Sequence, residues 1–144
     1  MHLHTEDGVA ASCLAEGLLP LNQTAMLISP HVAYHGYEGV AVEMDERERL
    51  AADLGSRDLM ILRNHGTLTV GRTVAEAFVR MTILEKACAI QMKVLAAGRP
   101  IQAVDDVARK RTADFAVMIG GMIATQSWNA WRRRLDRTGA NYAD

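Results

Sequence analysis

The sequence predicts an α/β domain in which short strands alternate with amphipathic helices. Three observations predict it. A His-x-His pair, His2 and His4, stands in a stretch that reads as extended. The unbroken apolar run Leu59–Leu62 has the length of a buried strand. A long helix over residues 73–97 opens on Thr73 with Glu76 three residues on, a capping box, and stops at Gly98 and Pro100. At 144 residues the chain is one domain, 1–144, with enough length for a real core. A formal charge of −1 gives no reason to expect nucleic acid or an anionic membrane as partner.

After the first strand, residues 5–16 read as a helix, with Val9, Ala10, Cys13 and Leu14 on one face and Gly17 as its stop. Thr5, Glu6 and Asp7 suit its first turn as capping residues. The positive end of its dipole also favours an anionic ligand near His4. Residues 21–28 fit either a short helix or a strand, broken by Ser29 and Pro30. Residues 31–34 read as a short strand, and 35–39 as a loop between glycines. Asp45 opens a helix with Glu48 in a capping-box-like position, an apolar stripe of Leu50, Ala51 and Leu54, and a stop at Gly55. Leu59–Leu62 then delivers Asn64 and His65 into a turn at Gly66, and 67–70 alternates like a further strand.

The helix over 73–97 carries Ala77, Phe78, Met81, Leu84, Ala87, Cys88, Gln91 and Leu95 on one stripe, which reads as core. Residues 101–103 connect it to a last helix. That helix starts near Val104 or Asp105, meets a potential break at Gly120-Gly121, and reaches about Asp136 in a tail spanning about 104–144. Trp128, Trp131 and Leu135 share one of its faces. Arg132, Arg133 and Arg134 fit a solvated tail or an intersubunit contact better than a phosphate site. Tyr142 has no assignment. The apolar run at 115–124 is too short to span a bilayer. Cys13 and Cys88 have no metal-like spacing and read as buried reduced thiols, which fits a cytoplasmic address; no basic, apolar leader precedes His2.

The chemistry lies in the histidines. On a strand, residues i and i+2 point to one face, so His2 and His4 offer two imidazoles to one ion. His65, at the end of another strand, supplies a third. Three neutral histidines leave a tetrahedral metal one open position, the arrangement of catalytic zinc. Such a metal stabilises the enediolate left when a carbon–carbon bond beside a hydroxyl breaks. His31 and His35 are ligands by residue type, but neither has an i+2 partner, and a structural role is the better reading for both.

The segments MHLHTEDGVAASCLAEGLLPL, YEGVAV, ERERLAADLG and LMILRNHGTLTVGRTVAEAFVRMTILEKACAIQ resemble the downstream part of the class II aldolase/adducin family, from Met1 to about Gln102. The tail WNAWRRRLDRTGANYAD resembles the end of bacterial members of unassigned substrate. The resemblance implies a three-layer α/β/α domain with a central, mainly antiparallel sheet, N-terminally incomplete in this chain. It implies a divalent metal cofactor, zinc or another ion, on His2, His4 and His65. It further implies a small sugar-phosphate-like substrate, aldehyde-lyase or epimerase chemistry, and a homotetramer.

The family's acid/base glutamate and its phosphate-binding loops lie upstream of the His-x-His strand and have no counterpart here. The tyrosine that some sugar-phosphate aldolases place shortly after the equivalent of Pro20 is also absent; Gln23 and Thr24 stand there. Glu6 and Glu38 are the nearest acids in sequence and read as a helix-turn acid and a loop acid. The catalytic residue is thus unassigned. The alternatives are a non-catalytic, adducin-like scaffold that binds cytoskeletal (actin) partners, or a truncated product that folds poorly.

Overall fold

The computed structural model describes residues 1–39 and 45–140, side chains at 116–123 excepted. Positions 40–42 of the YEGVAV segment and Tyr142 lie outside the described residues. The element order is β1 (His2–Leu3), α1 (Glu6–Ser12), α2 (Gln23–Ile28), a 3₁₀ turn (Ser29–His31), β2 (Val32–His35), α3 (Glu46–Leu54), β3 (Leu59–Leu62), β4 (Gly66–Thr69), α4 (Val74–Ala96) and α5 (Asp106–Thr138). The strands form one sheet in the order β1-β4-β3-β2. The β1–β4 and β3–β4 pairs are antiparallel, and β2–β3 is parallel. The expected α/β class with a mainly antiparallel sheet is what forms.

Alternation along β2 and β3 splits the core between two faces. Val32, Leu59 and Ile61 pack with Ala11, Leu84, Ala87 and Cys88 under α1 and α4. Ala33, Met60 and Leu62 face the other way and are covered by Leu50 and Leu54 of α3. This double burial explains why Leu59–Leu62 shows no polar alternation. Gln91 is fully buried on α4 and ties down the loop after α1: it donates to the Gly17 carbonyl at 2.8 Å and accepts from Leu19 N–H at 2.7 Å.

Several expected boundaries shift for identifiable reasons. Helix α1 ends at Ser12, well before Gly17, because the Ser12 carbonyl accepts the Asn64 N–H and Ser12 Oγ turns back to Val9 O. Residues 23–28 are helical, capped by Asn22, whose side chain accepts from Ala25 N–H. Strand β2 begins at Val32 rather than His31, which lies in the Pro30 turn. The capping box at Asp45 does not form; its carboxylate accepts from Arg49 instead. At Thr73 the cap forms, but Glu76 reaches the N–H of Arg72 rather than of Thr73. Helix α5 runs unbroken through Gly120-Gly121. Trp128 and Trp131 pack against Phe78 of α4, while Arg132, Arg133 and Arg134 are exposed.

Cys88 is buried as expected, and burial pushes its thiol up to about 12. Cys13 is exposed, since α1 stops just before it. Among the described residues no helix is long and apolar enough to cross a membrane.

Candidate metal centre

Strand β1 lies along β4 with His2 opposite Leu68 and Leu3 opposite Thr67. This places His2 and His4 beside the turn that follows β3. The structure brings His2, His4 and His65 together: ring centroids are 4.5 Å (His2–His4), 4.9 Å (His2–His65) and 4.7 Å (His4–His65) apart. One ligand nitrogen from each ring falls within 4.8 Å of the others.

The turn that presents His65 is shaped by its neighbours. Asn64 has φ 56°, a left-handed conformation that asparagine tolerates better than most residues. Its N–H donates to the Ser12 carbonyl at 3.2 Å. The His65 N–H donates to Leu62 O and to Ser12 Oγ, each at 3.1 Å. Gly66 follows because β1 crosses directly over it. A Cβ there would lie 2.4 Å from the Leu3 carbonyl oxygen. Each residue of the Asn-His-Gly segment therefore has its own physical reason.

His2 is oriented by a hydrogen bond to the β4 backbone, and Glu85 anchors the hydroxyls on either side. Its Nδ1 lies 2.8 Å from the Thr67 carbonyl, so Nδ1 carries the donated proton and Nε2 keeps its lone pair for a ligand. The Thr67 hydroxyl donates to Glu85 Oε1 at 2.5 Å, and the Thr5 hydroxyl donates to Glu85 Oε2. Gly8 makes room, since a Cβ at that position would sit 2.8 Å from Glu85 Oε1. Glu85→Ala strips both hydroxyls of their acceptor. It is expected to cost about 1–3 kcal/mol in a urea melt and to weaken Zn2+ binding about 10–100-fold. An unchanged zinc affinity would show that Glu85, by anchoring Thr67 and Thr5, does not position His2.

His65 titrates below the ordinary imidazole range. Desolvation by burial is the main cause, followed by the neighbouring imidazoles His2 and His4; Glu46 pulls the other way. The shift favours the neutral ring, the form that binds metal.

A cavity of about 180 Å³ opens beside the cluster, lined among others by His2, His65, Tyr37, Arg63, His35 and Glu46. The Tyr37 ring stands 6.5 Å from that of His65. Arg63 stacks over Tyr34 at 4.3 Å and donates to Leu14 O at 2.6 Å. Tyr37, Arg63 and Glu46 are not identifiable from spacing: Glu46 reads as an ordinary first-turn acid, and only the topology returns it to His65. Glu38 also lines this cavity, whereas Glu6 is exposed on α1. His31 belongs to a larger, separate recess between α2 and α5, of about 440 Å³, where Arg109 and Lys110 are paired to acids of their own helix. No cluster of three or more metal-type donors includes His31 among the described residues.

The family model for the class II aldolase and adducin N-terminal domain matches residues 1–92. The chain belongs to the class II aldolase/adducin family. A Caulobacter vibrioides protein with a provisional class 2 aldolase description is 47% identical over all of this chain and 56% of its own length. The crystal structure of an aldolase II superfamily protein from Pseudomonas syringae superposes with TM-score 0.94, at 44% identity, over 100% of this chain and 58% of that one. L-fuculose 1-phosphate aldolase from Glaciozyma antarctica PI12 superposes with TM-score 0.74, at 25% identity, over 94% of this chain and 52% of that one. The chain thus spans a little over half the length of these relatives.

Proposed function

We propose that His2, His4 and His65 hold a divalent cation, Zn2+ by the chemistry of three neutral imidazoles, for aldol-type cleavage or epimerisation of a sugar phosphate. The observation that carries this is the convergence of the three rings, with His2 already locked through Thr67 in the tautomer a metal needs. When bound, such an ion is a Lewis acid that offsets negative charge developing on a carbonyl oxygen and the neighbouring hydroxyl oxygen. The chain's own residues orient His2 and favour the neutral ring of His65, and Tyr37 and Arg63 wall the space beside them. The similarity to L-fuculose 1-phosphate aldolase supports the substrate class. A single domain over 1–144, a cytoplasmic address with reduced thiols, and a homotetramer with sites near subunit boundaries go with this reading.

The test is elemental analysis of the purified chain beside a His2→Ala/His4→Ala variant. One equivalent of zinc or another divalent metal, lost in the variant, is the expected result. No metal in a chain that melts cooperatively would replace this reading with the second one, a non-catalytic scaffold. That alternative draws on the adducin side of the family. No metal and no cooperative melt would mark an incomplete domain.

None of residues 1–144 matches the family's acid/base glutamate, so these residues alone are expected to show no appreciable retro-aldol turnover with hydroxy-keto sugar phosphates. Turnover on the order of 1–1000 per second would overturn this expectation and make the cavity carboxylates, Glu38 and Glu46, the bases to test.

A further inference from the structure

The same cavity has a second group of metal-type donors, at the carboxyl end of β2. His35 is the last residue of that strand and only 4% exposed. Its Nδ1 lies 2.7 Å from Asp53 Oδ2, so the proton between them sits on Nδ1, and the neutral ring would offer Nε2 as a ligand. That buried Nε2 has no hydrogen-bond partner. It points between two carboxylates: Glu46 Oε1 at 3.8 Å and Glu38 Oε1 at 3.9 Å. Glu46 and Asp53 are two helical turns apart on α3, so one face of the helix brings both to the histidine.

These distances do not suit direct hydrogen bonds, which close to roughly 2.7–3.2 Å. They leave a gap that a modest contraction converts into a cation site. Ligands about 2.1 Å from one ion stand roughly 3.0–3.4 Å apart. The charges point the same way. Glu38 is shared with Arg49, which donates to both of its oxygens and holds its carboxyl below the usual carboxylate range. Arg49 also accounts for Asp45. Glu46 has no Lys or Arg partner among the ion pairs of the described residues, although its side chain is only 14% exposed. A half-buried carboxylate and a buried ring nitrogen that face each other at 3.8 Å need a proton or a cation between them, and a divalent ion fills that role.

We propose that His35, Glu38 and Glu46 form a second divalent-cation site, with Asp53 as the residue that orients His35. One imidazole and two carboxylates suit Mn2+ or a similar first-row ion. The site opens onto the cavity that His2 and His65 also line, so two ions would face one substrate space.

The test is a Mn2+ titration followed by the EPR signal of the free ion, on the intact chain and on His2→Gln/His4→Gln. The paired variant removes the three-histidine centre, which separates failure of this inference from failure of the proposed function. The paired variant is expected to retain one equivalent of bound Mn2+, and adding Glu46→Gln or His35→Gln should weaken that binding by at least about tenfold. If the paired variant does not fold, Glu46→Gln in the intact chain should lower the stoichiometry from two to one. Retention of full Mn2+ binding after both Glu46→Gln and His35→Gln would overturn the inference. So would absence of Mn2+ binding in a folded paired variant, which would leave His35 as an imidazolium paired with its three carboxylates.

Discussion

His65→Ala is expected to lower the affinity of the three-histidine centre for Zn2+ by more than about 100-fold, because residues that merely orient a ligand are already worth 10–100-fold. A 100-fold loss corresponds to about 2.7 kcal/mol. The alanine keeps the backbone N–H that donates to Leu62 O and Ser12 Oγ, so the turn survives and the loss reports on the imidazole alone. His31→Ala provides the control: that ring lies in the α2–α5 recess and should leave zinc binding unchanged. His35→Ala should affect only the second equivalent. Competition with a chromophoric chelator resolves the two affinities. Equal losses at His65 and His31 would refute the assignment of His65.

Two kinds of information decided what the sequence made legible. The strand at Leu59–Leu62 and the long helix follow from periodicity and caps, which are local, and both form. The histidine cluster was legible because an i, i+2 pair has one geometric meaning on a strand, and because His65 closes an apolar run. Features set by tertiary contacts were not. The end of α1 depends on a carbonyl claimed by Asn64, fifty-two positions away in sequence. The Asp45 cap loses to Arg49. Glu46 looks like a first-turn acid, and His35 like a structural histidine, until α3 folds back over β2 and sets them beside each other. Thr67 offers another case. Its pattern says strand, but not that its carbonyl accepts from His2 while its hydroxyl donates to Glu85 of α4.

Gly66→Ala is expected to act on the site through the backbone. A Cβ there would stand 2.4 Å from the carbonyl oxygen of Leu3, 3.0 Å from His4 Cδ2 and 3.5 Å from His2 Cε1. The first contact is with main chain, which cannot rotate away as a side chain would. Relief requires β1 to move off β4. Strand β1 is only two residues long and sits at the sheet edge, held by its pairing with β4 and by the Met1–Thr69 hydrogen bonds at 2.8 Å. It is a short edge element, and it carries His2 and leads directly into His4. Overpacking of this kind costs about 1–3 kcal/mol, and the displacement should remove zinc binding well beyond what that cost alone implies. Gly36→Ala is the matched control, since nothing lies within 4 Å of the place its methyl would take; it should stay within about 0.5 kcal/mol of the parent. The measurements are a urea melt and a zinc titration on both variants. If Gly66→Ala matched Gly36→Ala in both, β1 would not be seated over Gly66, and the three-histidine cluster would lose its structural basis.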